Sequence, residues 1–424
     1  MNIIKQLKEV VYQAQKRIDI DAAQNPELQR AIHIVETFLR KSARICYGGQ
    51  AINAQLAKND QFYNMETSLP DYDFFSPDLS DADTLIDNLK AAGYTEISKR
   101  IGIHEGTTKI YVNYMPIADI TLINADFYKQ IHMRSVIVDG IHYTDPLFLR
   151  MLMFLELSRP RGMVARWEKV YERLVLLDRA HPLKVCTDIT TLESREAAAA
   201  RPAILRFIIK NRRVFMGTDA HAMYKSGGPG RSAKSRTNFL LNGRAPLVFL
   251  SPDAELDSNL LAVKLRAKKE PITGYQGTLP AMVALYHDNK LVCLLVQQEA
   301  CHSFITIPLT KQRQLRLASL DTLLTFFIGL YYRDEPYLMS PESLLCWIRN
   351  YIDLSVRYRN KPTKLVPAFP IECSGYETTF ASLLRAKGAR IEAARQRVGS
   401  GERVGSGKTR RNMNSRIRQT RKLY

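Results

Sequence analysis

Leu69-Pro70-Asp71-Tyr72-Asp73-Phe74-Phe75-Ser76-Pro77 (69–77) is the stretch on which the reading of this chain turns. Asp71 to Ser76 reads as a strand, and successive strand side chains face opposite ways, so Asp71 and Asp73 share one face while Tyr72 and Phe74 take the other. Two parallel carboxylates repel unless a cation stands between them, and an all-oxygen pair suits hard Mg²⁺ or Mn²⁺. A third acid, Asp119, sits inside Pro116-Ile117-Ala118-Asp119-Ile120-Thr121-Leu122. An ionised carboxylate among strand residues this apolar is costly unless it is paired or metal-bound.

Upstream, Arg44-Ile45-Cys46-Tyr47 reads as a short strand, Gly48-Gly49 breaks it, and a helix starts at Gln50. A Gly pair between strand and helix lets the backbone approach a phosphate, whose charge the helix N-terminus favours. Alone, a Gly pair is an ordinary tight turn and an Asp-x-Asp occurs in many loops. The ordered combination of Gly-Gly, Asp-x-Asp and a single Asp on a later strand is what a two-metal site for phosphoryl or nucleotidyl transfer requires.

Strands and helices alternate around these words, which predicts an α/β (α+β) fold. Helices are expected near 1–20, 26–42, 81–92, 146–157 and 165–177, and strands at 107–113 and 117–123. The N-terminal helix carries an apolar stripe (Ile3, Ile4, Leu7, Val10, Val11, Ile18) expected to pack on another element. The second half repeats the first. Lys41 to Ala51 lies over Lys210 to Ala220 at an offset of 169, and Phe74-Phe75-Ser76-Pro77-Asp78 over Phe249-Leu250-Ser251-Pro252-Asp253 at 175, the difference being extra loop of the Gly227-Gly228-Pro229-Gly230 kind. In that frame Asp71 falls on Pro246 and Asp73 on Val248, which cannot ligate metal. The expected organisation is a helical segment (1–35), a catalytic domain (36–190), a degenerate copy of it (191–384) and a flexible basic tail (385–424).

The words YGGQAIN (47–53), LPDYDFFSP (69–77), IADIT (117–121) and ELSRPRGMVARWEKVYERL (156–174) resemble the poly(A) polymerase catalytic subunits of nucleocytoplasmic large DNA viruses, within the DNA polymerase β-like nucleotidyltransferase superfamily. The resemblance covers about residues 45–180 and thins beyond them. It implies that Asp71 and Asp73 hold two divalent ions and that Asp119 holds the one activating an RNA 3′-hydroxyl. It also implies that Gly48 and Gly49 face the triphosphate of ATP, whose α-phosphate is attacked with release of pyrophosphate. The spacing departs from the compact superfamily form: Gly49 and Asp71 lie 22 residues apart, with Ala57 to Pro70 as an apparent insertion. Arg166, Lys169 and Arg173 share a helical face and add cations to the triphosphate, or else form a solvated face paired with Glu168 and Glu172.

Composition sets the limits. The chain has 424 residues with 61 Lys+Arg against 42 Asp+Glu, a net +19. Residues 385–424 hold 13 Lys/Arg against Glu392 and Glu402, so +11 of that excess is local. Such a tail (Arg410, Arg411, Arg416 and Arg418 within it) is expected to attract single-stranded RNA without sequence preference. Tyr331-Tyr332-Arg333 and Tyr351 to Tyr358, with Arg349, Arg357 and Arg359, offer a stacking surface for RNA or else pack inside. The six Cys form no CxxC pair, so neither a zinc site nor a disulfide framework is expected, and Cys301-His302 reads as a strand residue beside a surface His. The longest uncharged apolar stretch, Thr322 to Tyr332, is 11 residues, too short to span a bilayer. These readings describe an adenylyltransferase of mRNA 3′ ends with ATP and Mg²⁺ or Mn²⁺, active in the host cytoplasm or virion. A homodimer through the second domain and a cap-modifying or transcription partner are compatible with it. The alternatives are a catalytically silent RNA-binding scaffold, or a terminal uridylyltransferase or oligoadenylate synthase-like enzyme.

Overall fold

The computed structural model describes residues 3–64, 66–184, 186, 190–225, 232–275, 279–310, 312–333 and 337–399. Two mixed sheets form its frame. The first comprises β1 (Ile45–Tyr47), β2 (Tyr72–Ser76), β3 (Ile97–Ile101), β4 (Thr107–Val112), β5 (Met115–Leu122), β6 (Val136–Val138) and β7 (Ile141–Tyr143), in the order β3-β4-β5-β2-β1-β7-β6. The second comprises β8 (Val214–Met216), β9 (Leu247–Ser251), β10 (Lys268–Ile272), β11 (Met282–His287), β12 (Lys290–Gln297), β13 (His302–Pro308), β14 (Gln314–Ala318) and β15 (Cys373–Ser374), in the order β10-β11-β12-β9-β8-β14-β13-β15.

Local chemistry sets the helix ends. Asn25 caps the helix Pro26–Ser42 by accepting from the N–H groups of Glu27 and Leu28, and Pro26 opens its first turn. Ala43 ends it in the left-handed region at φ 51°. Its Leu28, Ile32, Val35 and Leu39 stripe is buried against the first sheet and its neighbours.

Strand pairing settles the repeat. On β1 and β2, Ile45, Cys46 and Tyr47 oppose Phe75, Phe74 and Asp73. On β8 and β9, Val214, Phe215 and Met216 oppose Leu250, Phe249 and Val248. These are the same pairs shifted by 169 and 175, as the sequence frame requires. An ion pair is duplicated too. Arg44 donates to Asp81 at 2.5 and 3.1 Å, with Ser76 Oγ on the same carboxylate at 2.5 Å. Arg213 donates to Asp257 at 2.6 and 2.9 Å, with Ser251 Oγ at 2.5 Å. Each pair ties the residue before the first strand to the helix after the second, and each carboxylate is buried but fully satisfied.

The two halves meet through the helices Pro146–Leu157 and Leu320–Tyr331. Phe148 packs edge-on against Tyr332 at 5.1 Å, and the Tyr332 hydroxyl donates to the Asp145 carboxylate at 2.6 Å. Burial holds Asp145 above the usual carboxylate range.

Four expectations are corrected here. The apolar stripe of the helix Ile3–Ala23 is exposed at Ile3, Ile4, Leu7, Val10, Val11 and Ile18, so among the described residues it is not packed into the core. The basic segment from Arg385 opens inside a helix, Phe380–Gly399, because its Ala, Leu and Arg residues are good helix formers; only 400–424, with Arg410, Arg411, Arg416 and Arg418, lie outside the described residues. Disulfides do form, Cys186–Cys346 and Cys301–Cys373, between cysteines 160 and 72 residues apart that no local spacing could pair. Cys301 is thus a disulfide residue, and the neighbouring His302 ring is held well below the ordinary imidazole range by burial and by Arg159. Finally, Tyr332, Tyr351 and Tyr358 are core residues at 0%, 0% and 5% exposure. The Arg359 guanidinium is held against Asp321 at 2.5 Å, so these residues pack inside, while Tyr331, Arg333 and Arg349 are half-buried and Arg357 is exposed. No described helix is long and apolar enough to cross a membrane.

Candidate active site

The pairing of β1, β2 and β5 brings the predicted residues together. Tyr47, the residue before Gly48, opposes Asp73 on β2, and Asp73 in turn opposes Asp119 on the parallel strand β5. Gly48 turns from β1 into the helix Gly48–Ala54 at φ 75°. A Cβ there would stand 2.7 Å from Asp73 Oδ2, so glycine is needed both for its backbone and for the close approach of the carboxylate. At Gly49 a Cβ would meet Tyr63 Oη at 2.7 Å and Arg173 Nη1 at 2.8 Å.

The electrostatics are those of crowded acids. Burial, then the charges of Asp71 and Asp119, push Asp73 up to about 8. Asp71 is also raised, by burial and by Asp119, with Lys109 opposing. Asp119 is 8% exposed; Lys109, directly opposite it on β4, donates to its Oδ2. Its other oxygen, Oδ1, is buried without a hydrogen-bond partner. An orphaned carboxylate oxygen beside two acids held above their ordinary range is a donor set short of positive charge, which a divalent cation would supply. Among the described residues no three His, Cys, Asp or Glu side chains are gathered tightly enough to hold an ion as they stand, and the Lys109 ammonium supplies the cation at Asp119.

A basic wall faces the acids. The helix Trp167–Ala180 carries Lys169 and Arg173, with Arg166 just before it. Arg173 donates to Tyr63 Oη at 2.8 Å and lies over the Phe62 ring at 4.4 Å, which holds its guanidinium beside Gly49. Arg166 pairs with Glu156 at 3.3 Å rather than serving only as a solvated partner of its own helix. Lys169 is lowered by burial and then by Arg173 and Arg166, as expected where cations outnumber local anions. Farther along, Arg159 pairs with Glu377 at 3.1 Å, and Arg390 of the C-terminal helix donates to the carbonyls of Gly102 and Ile103 in the β3–β4 turn.

Sequence reading missed Lys109 and Tyr63. Lys109 reaches Asp119 only through the β4–β5 register, and Tyr63 lies in the apparent insertion, where Asn53 Oδ1 accepts from the N–H groups of Phe62 and Tyr63 at 2.8 and 2.9 Å. A polar Asn on the buried side of the helix after Gly-Gly was the one local signal.

The second sheet repeats the geometry without the chemistry. Val248 opposes Leu294 on the parallel strand β12, as Asp73 opposes Asp119. Gly217 keeps the positive φ (95°), but a Cβ there would meet Val248 instead of a carboxylate.

A glycine turn pressed on an Asp-x-Asp strand beside a third buried Asp, in a mixed sheet, is the arrangement the sequence words implied, and the second sheet repeats it without the acids. Residues 33–163 match the family Poly(A) polymerase catalytic subunit, a stretch that holds all three acids and both glycines. Over 163 residues the chain is 30% identical to the inferred poly(A) polymerase catalytic subunit of Acanthamoeba polyphaga mimivirus, covering 37% of this chain and 27% of that protein. Over 189 residues it is 26% identical to the corresponding African swine fever virus protein, covering 43% and 38%. The matched stretch thus spans about a quarter to two fifths of these relatives. The Megavirus polyadenylate synthase has the same fold across both halves, with TM-score 0.74 at 20% identity, over 93% of this chain and 82% of that one.

Proposed function

We propose that this chain is a template-independent polynucleotide adenylyltransferase, joining AMP from ATP to an RNA 3′ end with release of pyrophosphate. The observation that carries it is the register Tyr47–Asp73–Asp119, which sets a glycine turn and three acids at one end of the first sheet, within the stretch matching the poly(A) polymerase family. Asp71, Asp73 and Asp119 would hold two divalent ions, Mg²⁺ or Mn²⁺. Bound there, the ions would neutralise the acids and stabilise charge on the attacking and leaving oxygens. Gly48 and Gly49 leave the backbone open to the triphosphate, and Arg173, oriented by Tyr63, offers a guanidinium to it, with Lys169 and Arg166 behind. Lys109 neutralises Asp119 at Oδ2 and leaves Oδ1 unpartnered, where a cation would find a ligand.

The acids of the first sheet also speak against a silent scaffold. The second half displays what a silent copy looks like, with Pro246, Val248 and Leu294 where the first has Asp71, Asp73 and Asp119. Single-stranded RNA is the partner this reading carries, with the basic tail as a further contact. Pairing of copies through the second half, a cap-modifying or transcription partner, and action in a host cytoplasm or virion belong to the same proposal.

Incubation with a labelled short RNA, Mg²⁺ or Mn²⁺ and each nucleoside triphosphate separately tests it. Extension with ATP is expected. No extension with any nucleotide would leave the scaffold reading, and extension with UTP alone would make it a uridylyltransferase.

A further inference from the structure

The second half, without acids at the positions of Asp71, Asp73 and Asp119, carries a different feature at the opposite pole of its sheet. Between the end of the helix Arg195–Lys210 and the paired strands β13 and β14 lies an open cleft of about 250 Å³. Arg212, Arg213, Arg313 and Arg316 line it, against Glu372 as the one carboxylate among its lining residues.

Arg316 is held by the fold rather than by an acid, whereas Arg213 is committed to Asp257 and adds only its charge to the rim. Arg316 opposes Val214 at the start of β8 and donates to the Arg212 carbonyl at 3.1 Å, while its plane lies over Phe304 at 4.9 Å. Arg212 sits in the left-handed region at φ 51°, in the turn that leads into β8. Arg213 is turned to Asp257, which fixes its position. Burial and then the Arg212 charge pull Arg316 below its ordinary value, while Glu372 opposes. Like charges around one cleft repel unless an anion sits among them. Because β8 runs from Val214 to Met216, this cleft is at the end away from Gly217 and Val248, so it is no relic of the first half's site.

We propose that this arginine cleft is a phosphate-binding site. Guanidinium forks recognise phosphate oxygens in pairs, and a cavity this small suits an ionic group rather than a drug-sized molecule. The phosphate comes either from the backbone of single-stranded RNA crossing the second half or from a free polyphosphate. The inference does not depend on the catalytic reading.

The test uses the full chain and two probes, a labelled oligoribonucleotide with a 5′-hydroxyl and inorganic pyrophosphate. Arg212→Gln with Arg316→Gln is compared with Lys264→Gln with Lys268→Gln, an equal charge loss at exposed positions of the same half outside the cleft. If RNA fills the cleft, the arginine variant binds it roughly tenfold more weakly at low salt, and the slope of log affinity against log salt falls by about 1.4 for two lost contacts. If a free polyphosphate fills it, pyrophosphate binding is lost and RNA binding stays. Should Arg316→Gln impair folding, Arg212→Gln with Arg313→Gln, both exposed, replaces it. Unchanged binding of both probes, or equal losses in the lysine control, overturns the proposal.

Discussion

Substituting Gly48 by Ala separates backbone strain from chemistry, because the fold contains its own control. At φ 75° an added methyl costs about 1–2 kcal/mol in the left-handed region. It also stands 2.7 Å from Asp73 Oδ2, so the carboxylate must retreat by about 0.7 Å to reach ordinary contact. Asp73 has little room to do so, since β2 is paired on one side to β1 and on the other to β5. A displacement of that size at a reacting centre lowers the rate by about 100-fold, roughly 2.7 kcal/mol of barrier. Gly217→Ala meets the same backbone demand at φ 95°, but its methyl presses on Val248 at 3.0 Å. Both variants should lose about 1–2 kcal/mol of stability, a fall of roughly 2–8 °C in Tm. Only Gly48→Ala should lose RNA extension. Equal loss of extension in both, or full activity in Gly48→Ala, would refute the assignment of Asp73 to the reacting centre.

Asp119→Asn and Asp71→Asn should each abolish extension while RNA binding, read by anisotropy, stays close to that of the parent. Arg173→Met should raise the KM for ATP roughly tenfold, the loss of one charge-assisted phosphate contact, with kcat changed less; a change in kcat alone would contradict its placement beside Gly49. His221, buried between Trp347 and Tyr351, is held down to about 4 by burial. A folded-state value below the unfolded one means the native state binds fewer protons, so stability is complete above about pH 6.5 and is lost as pH falls toward 4. The loss from His221 is about 3 kcal/mol, and His221→Gln should remove roughly half of the pH dependence in this window in denaturant titrations, buried His302 supplying a comparable share. Reduction of Cys301–Cys373, which closes 72 residues, should lower stability by up to about 4 kcal/mol in the same titrations.

Much of the fold was legible because its signals are local. Apolar patterning gave β2 and β5 as strands and the helices near 26–42, 81–92, 146–157 and 165–177. The repeat was legible because its offsets preserve strand pairs, which the register from Ile45–Phe75 to Val214–Leu250 reproduces. Asp71 and Asp73 could be named because alternate strand residues share a face, and Asp119 because a carboxylate in an apolar strand is costly wherever the strand goes. Lys109, Tyr63 and Arg173 could not be placed. Their roles depend on which strand lies beside β5 and on where residues 57–70 fold back, and no local pattern encodes either.

The same division explains the errors. Cysteines 72 and 160 residues apart carry no pairing signal in spacing, since their meeting depends on how β13, β15 and the helix Pro341–Asn360 come together. Tyr351 and Arg359 read as a basic aromatic surface because sequence shows which residues share a helix, not which face the neighbouring helix covers. By itself, then, the sequence pointed to the class of chemistry proposed, through charges placed where burial makes them expensive. It determined the duplication as well, through spacing that survives replacement of the acids. Only the tertiary structure decided which cations answer those charges and where four arginines meet, because side chains far apart in the chain become neighbours only through strand order and helix packing.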